Sequence, residues 1–195
     1  LSDIGTSKID IIKKQLFELD PHIRIKSFSS GLSRKNLKDF VGGNSKSKLI
    51  FEIIDDFEMK ILIRKEAQKQ RVPVIMLTSL GDSILIDIER YDINPKTKLF
   101  NGMVDREILE KILSGKINEK EKNQYAIEIV GLENVPSRAI ESVKKIGKTL
   151  IGRPQLMSTV AVASGLASFI ARKIALGGML KNGRSLIKFD DIVHF

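Results

Sequence analysis

Apolar positions recur along the chain with two distinct periods, and they divide it into helices and strands. Ile9, Ile12, Leu16 and Leu19 are spaced by three and four, which predicts one apolar helix face over residues 8–19, capped by Thr6 or Ser7. Asp20-Pro21 ends that helix, and residues 23–28 alternate with a period of two, as a half-buried strand does. A short helix over residues 33–40, capped by Ser33, leads into a polar loop at 42–48. Residues 49–54 (Leu-Ile-Phe-Glu-Ile-Ile) form a nearly continuous apolar run, which suits a central parallel strand. Asp55-Asp56 closes the run and a helix follows over 57–70. Strands are predicted at 72–77 and 83–90, separated by Gly81-Asp82. This order reads as half of a doubly wound α/β sheet, with crossovers of the usual length.

After Asn94-Pro95 the pattern becomes helical. Helices are predicted over 105–114, 119–129 and 137–150, the last with Ile140, Val143 and Ile146 facing inward. A longer one runs from Pro154 to Leu176 and is stopped by Gly177-Gly178. Residues 186–189 predict a short terminal strand. No internal repeat or low-complexity tract is present. The organisation expected is a sheet-bearing segment over residues 1–95 and a mostly helical extension over 96–195 that packs on the same core.

Composition narrows the chemistry. The 195 residues include no cysteine, which removes disulfides, thiolate zinc sites and a cysteine nucleophile. His22 and His194 are far apart, so a metal centre built on them would need carboxylates. The formal charge of +9 suits contact with an anion such as nucleic acid or a nucleotide. The basic residues are scattered among acids, however, which fits a solvated lysine-rich surface and makes nucleic acid possible but not favoured. The longest apolar stretch, 156–170, is interrupted by Ser158, Thr159, Ser164 and Ser168, so a membrane span is not expected. No signal-peptide pattern is seen at Leu1, and a cytoplasmic location is expected.

Two places could carry chemistry. In an open parallel sheet, ligands bind beyond the carboxyl ends of the strands, where Asp55 and Asp56 fall. A carboxylate there can hold magnesium on a nucleotide triphosphate, or it can cap the following helix; one aspartate can do each. Lys8 opens a helix, a position that mildly disfavours a cation unless helix end and lysine share an anion such as phosphate. The plain alternative is an exposed lysine. Gly42-Gly43 matches no phosphate-loop pattern. Thr78 and Ser79 have no histidine near them in sequence to activate them. Asp87, Glu89 and Arg90 read as an ion-paired strand end.

These residues also resemble a family. Asp3-Ile4-Gly5-Thr6-Ser7-Lys8, a helix, and Leu19-Asp20-Pro21-His22-Ile23 look like the D-x-G-x-x-K, helix, I-N-P stretch of ThiF/MoeB and ubiquitin-activating enzymes, with Asp20 in place of the usual Asn. The run 49–56 looks like the family's apolar strand ending in a T-D-N type triplet, and 71–76 like its next strand. Residues 86–92, 99–102, 153–156 and Gly183-Arg184 resemble a less characterised ThiF-like branch. The resemblance implies a Rossmann-like, partly parallel sheet flanked by helices, with a helical C-terminal region. It implies that Lys8 meets ATP phosphates and that Asp55, beside Asp56, holds magnesium. The reaction implied is adenylation of a carboxylate, in which a carboxylate oxygen attacks the α-phosphate and pyrophosphate leaves. The acceptor would be a ubiquitin-like protein's C-terminus or a small acid.

The family's Gly-rich loop and ribose-binding acid precede the stretch that Leu1 matches. A homodimer or an upstream domain would therefore complete the pocket. The alternatives are a non-catalytic binding or dimerisation module of the same fold, and a tRNA-modifying dehydratase of the same superfamily.

Overall fold

The structure, a computed structural model, describes residues 3–43, 47–115, 117–152 and 154–193. Leu1, the middle of the 42–48 loop, Arg153 and His194 lie outside the described residues. The chain forms two units, Leu1–Ser33 and Arg34–Phe195.

The first unit is built around helix α1 (Lys8–Leu19), as predicted, with Ser7 as its N-cap accepting the Asp10 amide. None of its residues is buried, and Ile12, Phe17 and Leu19 are exposed. Residues 23–28 form no regular element. Their period-two pattern has no partner strand among the described residues, and alternation without a ladder to pair with does not make a strand.

The second unit contains α2 (Leu37–Val41), β1 (Ile50–Glu52), α3 (Phe57–Gln70), β2 (Val74–Leu80), β3 (Ser83–Glu89), α4 (Arg106–Leu113), α5 (Glu119–Val130), α6 (Ser137–Lys145), α7 (Met157–Ala175) and β4 (Gly183–Lys188). The sheet order is β1-β2-β3-β4. Only β1 and β2 are parallel, joined through α3; β2/β3 and β3/β4 are antiparallel. The doubly wound expectation thus holds for one crossover. Gly81-Asp82, with Gly81 at φ 62°, closes a tight hairpin, and a two-residue link cannot carry a strand back to parallel alignment. The fold is α/β with a mixed sheet, and β4 arrives from beyond the helical stretch.

Several boundaries also differ. The helix predicted from Ser33 begins after Asn36. Helix α6 ends at Lys145, because Gly147 turns the chain at φ 76°. Val143 and Ile146 are consequently exposed rather than inward-facing. Helix α7 starts at Met157, after an extended Leu156. It is the longest helix, and no helix among the described residues is long and apolar enough to cross a membrane.

Register separates the sheet into two unlike faces. Glu52 lies opposite Met76, Met76 opposite Asp87, and Asp87 opposite Arg184, so one row crosses all four strands. Residues two positions away share that face. It is covered by α3 and by the helices beyond it, where Ile61, Met76, Leu80, Leu85, Phe100, Ile112 and Tyr125 form a core. On the opposite face Ile75, Ile84 and Ile86 pack with Ile170 of α7, flanked by Ala163, Leu166 and Ile174.

Candidate functional site

Beyond the carboxyl end of β1 the chain turns at Ile53-Ile54-Asp55-Asp56 into α3. The two aspartates are not equivalent. Asp56 Oδ1 accepts the Met59 amide at 2.9 Å and is the N-cap of α3. Asp55 is exposed and makes no hydrogen bond among the described residues. No group of three or more metal-ligating side chains gathers among the described residues. A single exposed carboxylate at a strand end, with the Lys60 charge near it, nevertheless fits magnesium, which takes one or two carboxylates and completes its shell with phosphate oxygens and water. Lys8 is the first residue of α1 and is exposed. It lies in the other unit, so the two predicted site residues belong to separately described parts.

Behind the Asp55 turn lies a buried ionic network. Glu52, at the end of β1, is 1% exposed. Its Oε1 accepts Lys60 Nζ at 2.8 Å and the Ile54 amide at 3.0 Å. Its Oε2 accepts Arg64 NH1 at 2.7 Å. Lys60 and Arg64 are one helical turn apart, so both reach the same carboxylate. Arg64 Nε also donates to Glu89 Oε2 at 2.7 Å, and its guanidinium stacks 3.9 Å from the Phe100 ring centroid. Glu89 Oε1 accepts the Tyr91 hydroxyl at 2.6 Å and the Phe100 amide at 2.7 Å.

The row continues outward, where Arg184 holds Asp87 by two bonds of 2.9 and 2.6 Å and Asn101 adds a third at 3.3 Å. Asp87 and Glu89 are therefore ion-paired, as their strand-end position predicts. Arg90 pairs with Asp92 on the neighbouring loop, at 2.8 Å.

Electrostatics follow from this burial. Desolvation acts to raise the Glu52 carboxyl, but Arg64 and Lys60 together outweigh it and hold Glu52 below the usual carboxylate range. Burial lowers the Lys60 ammonium, with Glu52 opposing. Burial and then the Glu89 charge push the Tyr91 phenol well up, so Tyr91 stays protonated and acts as a donor.

The same network holds an uncommon backbone segment. Phe100 and Asn101 have φ 52° and 54°, and Gly102 follows at 80°. Two consecutive non-glycine residues in the left-handed region cost free energy. Here the buried Phe100 ring under Arg64 and the Phe100 amide on Glu89 fix the turn. Residues 99–102, 183–184 and 86–92, separate in sequence, thus meet in one place.

Glu52, Lys60 and Arg64 were not among the residues that sequence reasoning selected. A signal existed: Glu52 is the sole charge in the apolar run 49–54, and Lys60 and Arg64 lie four apart on the helix that returns over it.

A mixed sheet with one parallel βαβ crossover, helices on both faces and an acidic turn past the parallel strand defines a Rossmann-like α/β domain. The chain belongs to the ThiF family, whose family profile matches residues 1–192. It is 31% identical over 182 residues to the uncharacterized protein MT1398 of Mycobacterium tuberculosis (strain CDC 1551 / Oshkosh), covering 93% of this chain and 24% of that protein. The chain thus spans about a quarter of that relative's length. The fold is similar to that in the crystal structure of selenomethionine PaaA, with a TM-score of 0.62 at 16% identity, over 97% of this chain and 54% of that one.

Proposed function

We propose that this chain is part of an ATP-dependent adenylyltransferase domain, acting within a longer protein, that activates a carboxylate as an acyl-adenylate. In this reading the turn after β1 contributes the magnesium side of the pocket. Asp55 holds magnesium, with Asp56 adjoining, and Lys8 meets the phosphates of ATP. Magnesium bound at the site would neutralise charge on the phosphates as pyrophosphate departs. A lysine adds to the same neutralisation, and such a reaction asks for little covalent help from the protein. The observation that carries the reading is the exposed Asp55 carboxylate past the end of β1, which leaves the capping of α3 to Asp56, in a ThiF-family chain. The substrate would be a ubiquitin-like protein's C-terminus or a small acid, and an upstream domain or second copy would complete the adenosine side.

The test is ATP–pyrophosphate exchange in the complete polypeptide. Asp55→Ala is expected to abolish exchange and Lys8→Ala to weaken it; wild-type exchange in both variants would remove them from the chemistry.

A second reading, a non-catalytic module of the same family that binds a partner, draws support from the exposed apolar side chains of α7 and its ends: Met157, Val162, Phe169 and Leu176. Absence of exchange in the complete wild-type protein, with stable complex formation through α7, would favour it.

A further inference from the structure

The Asp55 turn is not held by its own side chains alone. Its backbone is fastened from behind by Glu52, three residues earlier in the chain. The Ile54 amide, one residue before Asp55, donates to Glu52 Oε1. That same oxygen receives Lys60 Nζ, and the other oxygen receives Arg64 NH1. Two cations from one helix therefore fix the orientation of the carboxylate, and the carboxylate fixes the peptide that presents Asp55. The Glu52 and Arg64 side chains are fully buried and that of Lys60 is 10% exposed, so water competes little for these bonds. The helix supplying both cations is the one whose first turn Asp56 caps. The turn is thus fastened at Ile54 and again at Asp56, on either side of Asp55.

We propose that Glu52, clamped by Lys60 and Arg64, is a positioning residue that sets the backbone of the Asp55 turn and so the direction in which the Asp55 carboxylate is offered to a divalent cation. The metal part of this inference rests on the function proposed above; the turn part does not. Lys60 is the informative handle, because removing it takes one of three donors from Glu52 while Arg64 still pairs the buried carboxylate.

The experiment uses nitrogen-15 NMR on the 195-residue chain, with amide hydrogen exchange and manganese(II) as a paramagnetic probe. In Lys60→Met, Ile54 should lose about tenfold more exchange protection than Ile75 in the middle of β2, as expected for weakening one buried hydrogen bond. A merely structural role would lower both in step. Manganese should broaden the amides around Asp55 in the wild type, broaden a different set of them in Lys60→Met, where the turn is re-aimed although a nearby positive charge is gone, and broaden none in Asp55→Ala. Lys60→Arg should restore both readouts, and Lys65→Met, an exposed lysine of the same helix, should change neither.

Equal protection of Ile54 in wild type and Lys60→Met, or equal loss at Ile54 and Ile75, overturns the positioning role even if Asp55 binds manganese. No broadening at Asp55 in the wild type overturns the metal role of Asp55. In that case a selective loss at Ile54 in Lys60→Met, reversed in Lys60→Arg, supports the turn-setting role on its own.

Discussion

Both faces of the sheet carry an apolar core, but only one of them adds buried charges. The face under α7 is apolar: Ile75, Ile84 and Ile86 meet Ile170 with no charged partner among them. The face under α3 adds acidic and basic side chains to its apolar core: Glu52, Asp87 and Arg184 lie along one row with Met76, and Lys60, Arg64 and Glu89 reach into it. Apolar packing is non-directional and tolerates substitution of similar volume. A buried ion pair adds little net stability over an apolar equivalent, yet losing one partner is severe. Its value here is directional: the charged row places the Ile54 peptide and the left-handed Phe100-Asn101 turn, which apolar contacts would leave free to shift.

The largest effect should come from the centre of the charged face. Arg64→Met abandons two buried carboxylates at once, and chemical denaturation should show a loss near the upper end of about 3–5 kcal/mol. On the apolar face, Ile75→Ala should cost about 3 kcal/mol through transfer and cavity terms, with no dependence on pH.

Glu52→Gln separates the two faces by pH. The folded Glu52 lies below its unfolded value of 4.5. Its ionised form therefore contributes stability that is present above that pH and is lost as pH falls through the folded value. The gap between wild type and Glu52→Gln in denaturation should be widest at neutral pH, about 2–3 kcal/mol, and should narrow as the solution is acidified below about pH 4.5. A gap that is constant with pH would mean that Glu52 acts through shape rather than charge.

The smallest effect lies away from both faces. Arg71 ends α3 at φ 55°. Relief of that strain in Arg71→Gly should raise stability by up to about 1 kcal/mol, partly offset by the greater freedom of glycine in the unfolded chain.

Where periodicity is long and uninterrupted the element is legible: α1 falls at 8–19 as its apolar spacing predicts, and α3 at 57–70 as expected of a helix that follows Asp55-Asp56. Strand direction was less legible, because an apolar run looks the same in a parallel and an antiparallel ladder. Only the Gly81-Asp82 turn distinguishes them. Residues 23–28 alternate as a strand does but find no ladder among the described residues. The assignment of Asp55 and Asp56 to different tasks needed coordinates, since adjacent identical residues differ only in which one meets the α3 amides. The charged row was illegible for another reason. Its members come from residues 52, 60, 64, 87, 89 and 184, brought together by the sheet register and by α3 returning over the sheet.

The paired aspartates divide their labour: Asp56 caps α3 and Asp55 stays exposed past β1. ATP–pyrophosphate exchange by the complete polypeptide, compared between Asp55→Ala and Asp56→Asn, tests this division directly. Asp56→Asn retains an acceptor for the Met59 amide. Asp56→Asn should therefore keep most of the exchange rate, whereas Asp55→Ala should lose it. Wild-type exchange in Asp55→Ala, or loss confined to Asp56→Asn, would contradict the division.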